Sequence, residues 1–186
     1  NLLLIEKDNQ LCNLLKEKYK KLKNIYIQNI DAIDFDYKTY KNQKIISNLP
    51  YNQSSKIILN FFKYNQNINE MVFLIQKEMA LKFDYNIKKM NKYKFITRIY
   101  SNYKRCFDVP PTVFKPRPKV NSTVVKFILK RKIIDQNKLN KFCQNIFINK
   151  RKKIASKIPN NKRFVGADLN KRIDEIDLDG LLNIYN

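Results

Sequence analysis

The 186-residue sequence contains no histidine. That absence removes imidazole general bases, Ser-His-Asp triads and histidine metal ligands together, and no metal site is expected. Cys12, Cys106 and Cys143 are odd in number and far apart, which suggests neither a disulfide framework nor a CxxC metal or redox site. Three reduced thiols in a cytosolic protein is the reading. No apolar run approaches the roughly 18 residues of a membrane span, and no charged segment leads into a signal-type core. Glycine is confined to Gly166 and Gly180, so the chain carries no glycine-rich loop through which backbone could close on a ligand.

Acidic residues are also few. Sixteen Asp and Glu face 38 Lys and Arg, for a formal charge of +22 and a pI near 9.9. Such a charge calls for a polyanion, and because the basic residues are dispersed among aromatics, nucleic acid fits better than a membrane surface. Part of it follows from a bias towards Lys, Asn, Ile, Tyr and Phe, all served by AT-rich codons, so charge alone does not carry the assignment. Hydrophobic content is an ordinary 44%. The length suits one domain, or one with a small appendage.

Leu2-Leu3-Leu4-Ile5 is an apolar run of strand length closed by Glu6, and Asp8 opens a helical pattern carried by Leu11, Leu14, Leu15 and Tyr19. Ile25 to Gln28 is the next expected strand, followed by Asn29-Ile30-Asp31-Ala32. A third, Lys44 to Ser47, runs into Asn48-Leu49-Pro50-Tyr51. Ser54 or Ser55 is then expected to cap a helix that buries Ile57, Ile58, Phe61 and Phe62. Met71 to Gln76 reads as a fourth strand and Lys77 to about Asn86 as a helix. Alternation of this kind predicts a mostly parallel sheet covered on both faces.

In such sheets ligands bind beyond the carboxyl ends of the strands, where Glu6, Asp31 and Asn48 each lie. Each has a purely structural explanation: a helix start, an Asx turn and a residue before proline. Together they are expected to converge on one crevice, in which a carboxylate can grip ribose hydroxyls and a second can accept from an adenine amino group. The stretch Asn48 to Tyr51 places an amide, a proline-flanked carbonyl and a flat ring at one strand tip. Those groups suit a planar amine such as adenine N6.

From Val109 to Val120 prolines hold the chain extended, presenting Phe114 on a stiff loop beside Lys115, Arg117 and Lys119. An aromatic among cations suits a base and its phosphates, although a core phenylalanine in an edge connection has the same pattern. A strand from Val120 to Leu129 follows. Beyond about Lys130 the pattern is helical: Leu139, Phe142, Cys143, Ile146 and Phe147 form one stripe, and Leu178, Leu181, Leu182 and Tyr185 another. Between them Lys150, Arg151, Lys152 and Lys153, with Lys157, Lys162 and Arg163, match RNA in sign.

These motifs, in this order, resemble the ribosomal RNA adenine dimethyltransferases. The resemblance rests on IExD at Ile5 to Asp8, Asp31-Ala32, NLPYN at Asn48 to Asn52, LIQKE at Leu74 to Glu78, VPPxxFxPxPKVxSxVV from Val109 to Val125, and a basic helix at Asn149 to Lys153. It implies an α/β, Rossmann-like S-adenosylmethionine methyltransferase sheet over residues 1–130, lacking its first strand, with a small all-α C-terminal domain over 131–186. Glu6 would bind the ribose hydroxyls of S-adenosylmethionine, and Asp31 with the Ala32 backbone would read its adenine. Asn48, Leu49, Pro50 and Tyr51, with Phe114, would hold the target base. Lys115, Arg117, Lys119 and the run Lys150 to Lys153 would contact RNA. The implied activity is N6,N6-dimethylation of two adjacent adenosines near the 3′ end of small-subunit rRNA, on an assembling subunit in the cytoplasm, by a monomer. The family's glycine-rich cofactor loop is expected before residue 1, so a non-catalytic RNA-binding assembly factor is the alternative.

Overall fold

A computed structural model describes residues 1–149, 151–158 and 168–186. Strand β1 (Leu2–Glu6) leads to helix α1 (Asn9–Tyr19) and strand β2 (Ile25–Asn29). Strand β3 (Gln43–Asn48), helix α2 (Ser54–Phe62), strand β4 (Ile68–Gln76), and helices α3 (Lys77–Phe83) and α4 (Lys92–Tyr100) follow. Strand β5 (Ser101–Val109), a short 3-10 turn at Pro111–Val113, strand β6 (Ser122–Leu129) and helices α5 (Gln136–Phe147) and α6 (Leu178–Tyr185) complete the chain.

The sheet is in two pieces. β1 and β2 pair in parallel, while β3, β4, β6 and β5 form a separate four-stranded sheet in that order. Within it β3 and β4 are parallel, and β6 is antiparallel to both its neighbours. Among the described residues helices cover the four-stranded sheet on one face, where two covered faces were expected. Met71, Phe73, Ile75, Val125 and Phe127 point towards α2, α3 and α4 and are fully buried. On the opposite face Ile46 is 81% exposed and Phe107 62% exposed, and Val72, Leu74 and Val124 are only half-buried.

The covered side is held by aromatic rings. Phe61 stacks on Phe73, Phe62 on Tyr100, and Phe127 receives the edges of Phe62 and Phe83. The expected stripe Ile57, Ile58, Phe61 and Phe62 is all buried. Ser54 is not a cap: Gln53 holds that position without a side-chain bond, and the Ser54 hydroxyl donates back to the Tyr51 carbonyl at 3.2 Å. On α1 the buried residue is Cys12, whereas Leu11 and Leu14 face outward. Lys94, read as nothing in particular from sequence, is buried and donates to the carbonyls of Ile87, Lys88 and Lys89 at 2.6, 2.9 and 3.1 Å. Burial draws its pKa down, opposed by the charge of Asp84.

α5 and α6 pack on α4, where Phe95 meets Phe142, Phe147 and Tyr185. The described residues of the run after α5 form a turn where a basic helix was expected. Asn149 has φ of 52°, in the left-handed region, and the Asn149 carbonyl accepts from the Lys152 N–H at 2.9 Å in a turn, after which Lys153 bridges to Arg172. Lys150, Lys162 and Arg163 lie outside the described residues. Among the described residues no helix is long and apolar enough to cross a membrane.

Replacing the fully buried Phe127 by alanine removes the ring that joins β6 to α2 and α3, and urea unfolding is expected to show a loss of about 3–5 kcal/mol. A loss under about 1 kcal/mol would mean the ring cluster does not hold the sheet to its helices.

Candidate active site at the strand ends

β3 ends where its hydrogen-bond ladder ends. Asn48 is the last paired residue, opposite Leu74, and the Leu49 N–H makes a final bond to the Leu74 carbonyl at 3.2 Å. The Leu49 side chain is 4% exposed and belongs to the core. Pro50 then turns the chain outward, and its carbonyl accepts from the Gln53 N–H at 3.1 Å. Of the two carbonyls beside the proline ring, the Pro50 oxygen is therefore taken, and the Leu49 oxygen has no partner among the described residues. The Asn48 side chain is exposed and has no hydrogen-bond partner among the described residues. Two unoccupied acceptors, the Asn48 Oδ1 and the Leu49 carbonyl, thus lie on consecutive residues at one strand tip. With its side chain in the core, Leu49 presents only its backbone at this tip, as the expectation of a proline-flanked carbonyl requires.

Tyr51 is half-buried, with its hydroxyl 2.6 Å from the Ser122 Oγ at the start of β6. Ser122 is fully buried. That bond clasps the loop after β3 to β6, across the end of β4, and fixes the ring. Sequence reasoning assigned Ser122 no role, although it is the serine of the VPPxxFxPxPKVxSxVV block; a polar residue opening an otherwise apolar strand was the available signal. Phe114 closes the 3-10 turn, its N–H bonded to the Pro111 carbonyl at 3.2 Å, and it is half-buried. Lys115, Arg117 and Lys119 follow it, all exposed and none in an ion pair among the described residues. The Lys115-Pro116 peptide is cis.

At the other sheet, parallel pairing brings the ends of β1 and β2 side by side, Glu6 opposite Asn29. The Asn29 side chain, another residue that sequence reasoning passed over, donates to the carbonyls of Glu6 and Lys7 at 3.0 and 3.1 Å. Glu6 Oε1 accepts from the Asp8 N–H at 2.8 Å, and its second carboxylate oxygen has no partner among the described residues. Asp31 forms the Asx turn, its Oδ1 accepting from the Ile33 N–H at 2.9 Å, while its Oδ2 lies 3.4 Å from the Lys7 Nζ. The backbone N–H of Ile33 holds the Asp31 carboxyl below its usual range, with Lys7 and Lys56 adding to the effect. The Ala32 carbonyl is taken by the Tyr37 hydroxyl at 2.9 Å, and its N–H has no partner among the described residues.

The two loops are tied together through α2. The Asn60 side chain donates to the Ile33 carbonyl at 3.1 Å, and Tyr37 packs its ring edge-on against Phe61. The helix that follows Asn48 to Tyr51 thereby also anchors the loop carrying Asp31 and Ala32. The basic residues Arg151, Lys152 and Lys153 are exposed and unpaired among the described residues, in a turn at the end of α5.

The sequence pattern of a family described as ribosomal RNA adenine dimethylase matches residues 1–183. A ribosomal RNA small subunit methyltransferase A of Malacoplasma penetrans (strain HF-2) is 41% identical over 167 residues, covering 86% of this chain. The chain spans 60% of the length of that relative. A protein of the same name from Hydrogenobaculum sp. (strain Y04AAS1) is 35% identical across 100% of the chain, which spans 72% of it. Among solved structures, a dimethyladenosine transferase from Plasmodium falciparum superposes with a TM-score of 0.76 at 19% identity, over 98% of this chain and 79% of that one. The 23S rRNA methyltransferase ErmE superposes with a TM-score of 0.75 at 16% identity, over 98% and 80%. These likenesses establish a Rossmann-like methyltransferase fold.

Because its folded pKa lies below the unfolded value, the Asp31 carboxylate adds stability above that unfolded value, near 3.9, and the gain disappears as pH falls through the folded one. Asp31→Asn is therefore expected to lower the thermal midpoint at pH 7 and to leave it nearly unchanged at pH 2.5. Equal losses at both pH values would contradict the ionised Asx turn.

Proposed function

The chain belongs to the ribosomal RNA adenine dimethylase family, and on that premise we propose that it dimethylates N6 of two adjacent adenosines near the 3′ end of small-subunit rRNA, using S-adenosylmethionine, on an assembling subunit. The observation that carries this reading is the pair of unoccupied acceptors, Asn48 Oδ1 and the Leu49 carbonyl, beside the clasped ring of Tyr51. Adenine N6 has two N–H donors, and two acceptors on adjacent residues match them.

The chemistry needs orientation more than a strong base. In free adenine the N6 lone pair is conjugated with the ring. Hydrogen bonds to both N6 hydrogens draw it out of conjugation and steady the positive charge that develops on nitrogen, so Asn48 and Leu49 act as preorganised dipoles at the reacting atom. Tyr51, fixed by Ser122, supplies a stacking face for the extruded base, and Phe114 on its proline-framed turn supplies a second. Once one methyl is attached a single N–H remains, and one acceptor must suffice for the second transfer.

The donor set at β1 and β2 fits the cofactor: a free Glu6 oxygen for ribose hydroxyls, and the Asp31 carboxylate with the open Ala32 N–H for an adenine edge. S-adenosylmethionine supplies a methyl already activated on sulfonium. Lys115, Arg117 and Lys119, with Arg151, Lys152 and Lys153 of the C-terminal helical domain at residues 131–186, supply phosphate contacts. Self-repulsion at a charge of +22 favours a monomer, and the working compartment is the cytoplasm.

Incubating the chain with S-adenosylmethionine and unmethylated small-subunit RNA, then digesting the RNA for mass spectrometry, is expected to reveal N6,N6-dimethyladenosine. Asn48→Ala should lower the rate by about 10²–10³-fold, the scale for losing one preorganised dipole. Methylation confined to large-subunit RNA would overturn the target. Lys115→Ala is expected to weaken RNA binding evenly across sequences and to reduce the slope of log K against log salt by about 1; an unchanged slope would remove Lys115 from the phosphate contacts.

A further inference from the structure

A cavity of about 500 Å³ opens between the start of α3 and the chain entering β6. It neighbours the site described above. Gln76, on its wall, pairs across the sheet with Ser122, the residue whose hydroxyl holds Tyr51. The cavity therefore sits one strand over from the proposed target base, at the same end of the sheet.

Its chemistry is specific. Leu81, Pro111 and Val120 supply apolar walls. The side-chain amides of Gln76 and Asn121 have no hydrogen-bond partner among the described residues, and Lys119 at the rim has no ion pair among them. The other two charged groups are engaged: Lys77 lies 2.5 Å from Asp108, and Glu78 2.9 Å from Lys82. What remains open is an apolar slot, two amides that each donate and accept, and one free cation. A nucleobase has a large apolar face and an edge of mixed donors and acceptors, and it comes with a phosphate. The volume is in the range of roughly 300–1,000 Å³ typical of small-molecule sites.

Resting on the function proposed above, we propose that this cavity receives the nucleotide flanking the adenosine held at Asn48 and Tyr51, the base lying between Leu81 and Val120 with its edge on Gln76 and Asn121 and its phosphate on Lys119. The target is extruded from its stack by being gripped on both sides. A neighbour seated in its own pocket also fixes the register of two adjacent adenosines, so that one presents N6 while the other is parked.

The test is a binding cycle on the full chain with a fluorescein-labelled single-stranded RNA containing two adjacent adenosines, and two versions in which one or the other adenosine is abasic. Affinity is read by anisotropy for the wild type, for Asn48→Ala, and for the double variant Gln76→Ala with Asn121→Ala, whose replaced amides have no hydrogen-bond partner among the described residues. Removing the flanking base is expected to cost the wild type roughly tenfold in affinity and to cost the double variant nothing further, while Asn48→Ala couples to the other position. An abasic penalty equal in the wild type and the double variant at both positions, with the Asn48 coupling present, overturns the cavity assignment and leaves the active site standing. An RNA that does not bind, or couples to neither variant, overturns both.

Discussion

Everything the proposed chemistry needs depends on how β3 stops. The Leu49 side chain is drawn into the core and its N–H makes the last rung to Leu74. The ladder goes no further because the chain turns at Pro50, whose carbonyl accepts from the Gln53 N–H. The carbonyl of Leu49 and the exposed amide of Asn48 are left without donors among the described residues. Acceptors in that state are stabilising only when water or a ligand meets them. A planar amine with two N–H groups is the ligand their number and adjacency select.

The surrounding structure keeps that tip from relaxing. Ser54 draws the Tyr51 carbonyl back onto α2, Gln53 takes the Pro50 carbonyl, and Ser122 holds the phenol from across the sheet. Through Asn60 and Tyr37 the same helix sets the loop that carries Asp31 and Ala32. The cations are arranged differently. Lys7, Lys77, Lys82, Lys126 and Arg105 are committed to carboxylates, whereas Lys115, Arg117 and Lys119, on a proline-framed turn, have no ion pair among the described residues. Only such free charges remain available to neutralise phosphates.

Much of this was legible in the sequence because it rests on local pattern. Apolar runs closed by Glu6, Asp31 and Asn48 mark three strand ends, and each was found within a residue or two of its expected place. The features that escaped are those decided by tertiary partners. Neither α4 nor β5 was foreseen: Lys94 interrupts an apolar stripe and is buried only because three carbonyls of the preceding loop receive it, and a bulge between Arg105 and Phe107 breaks the alternation of β5. The basic run after α5 carries helix-forming residues, yet α5 ends at Phe147, with Ile148 extended and Asn149 left-handed. The uncovered sheet face could not be read from Ile46 or Val72 either, since strand patterns report that a residue is apolar, not that something packs on it. Ser122 and Asn29 were invisible for a similar reason, their roles being hydrogen bonds to residues distant in sequence.

A structure of the chain with a single-stranded RNA bearing adjacent adenosines tests the central claim most directly. The account predicts an extruded adenine with N6 about 3 Å from both the Asn48 Oδ1 and the Leu49 carbonyl oxygen, its ring stacked on Tyr51. An adenine still stacked in its strand, or an N6 that meets neither acceptor, would contradict it.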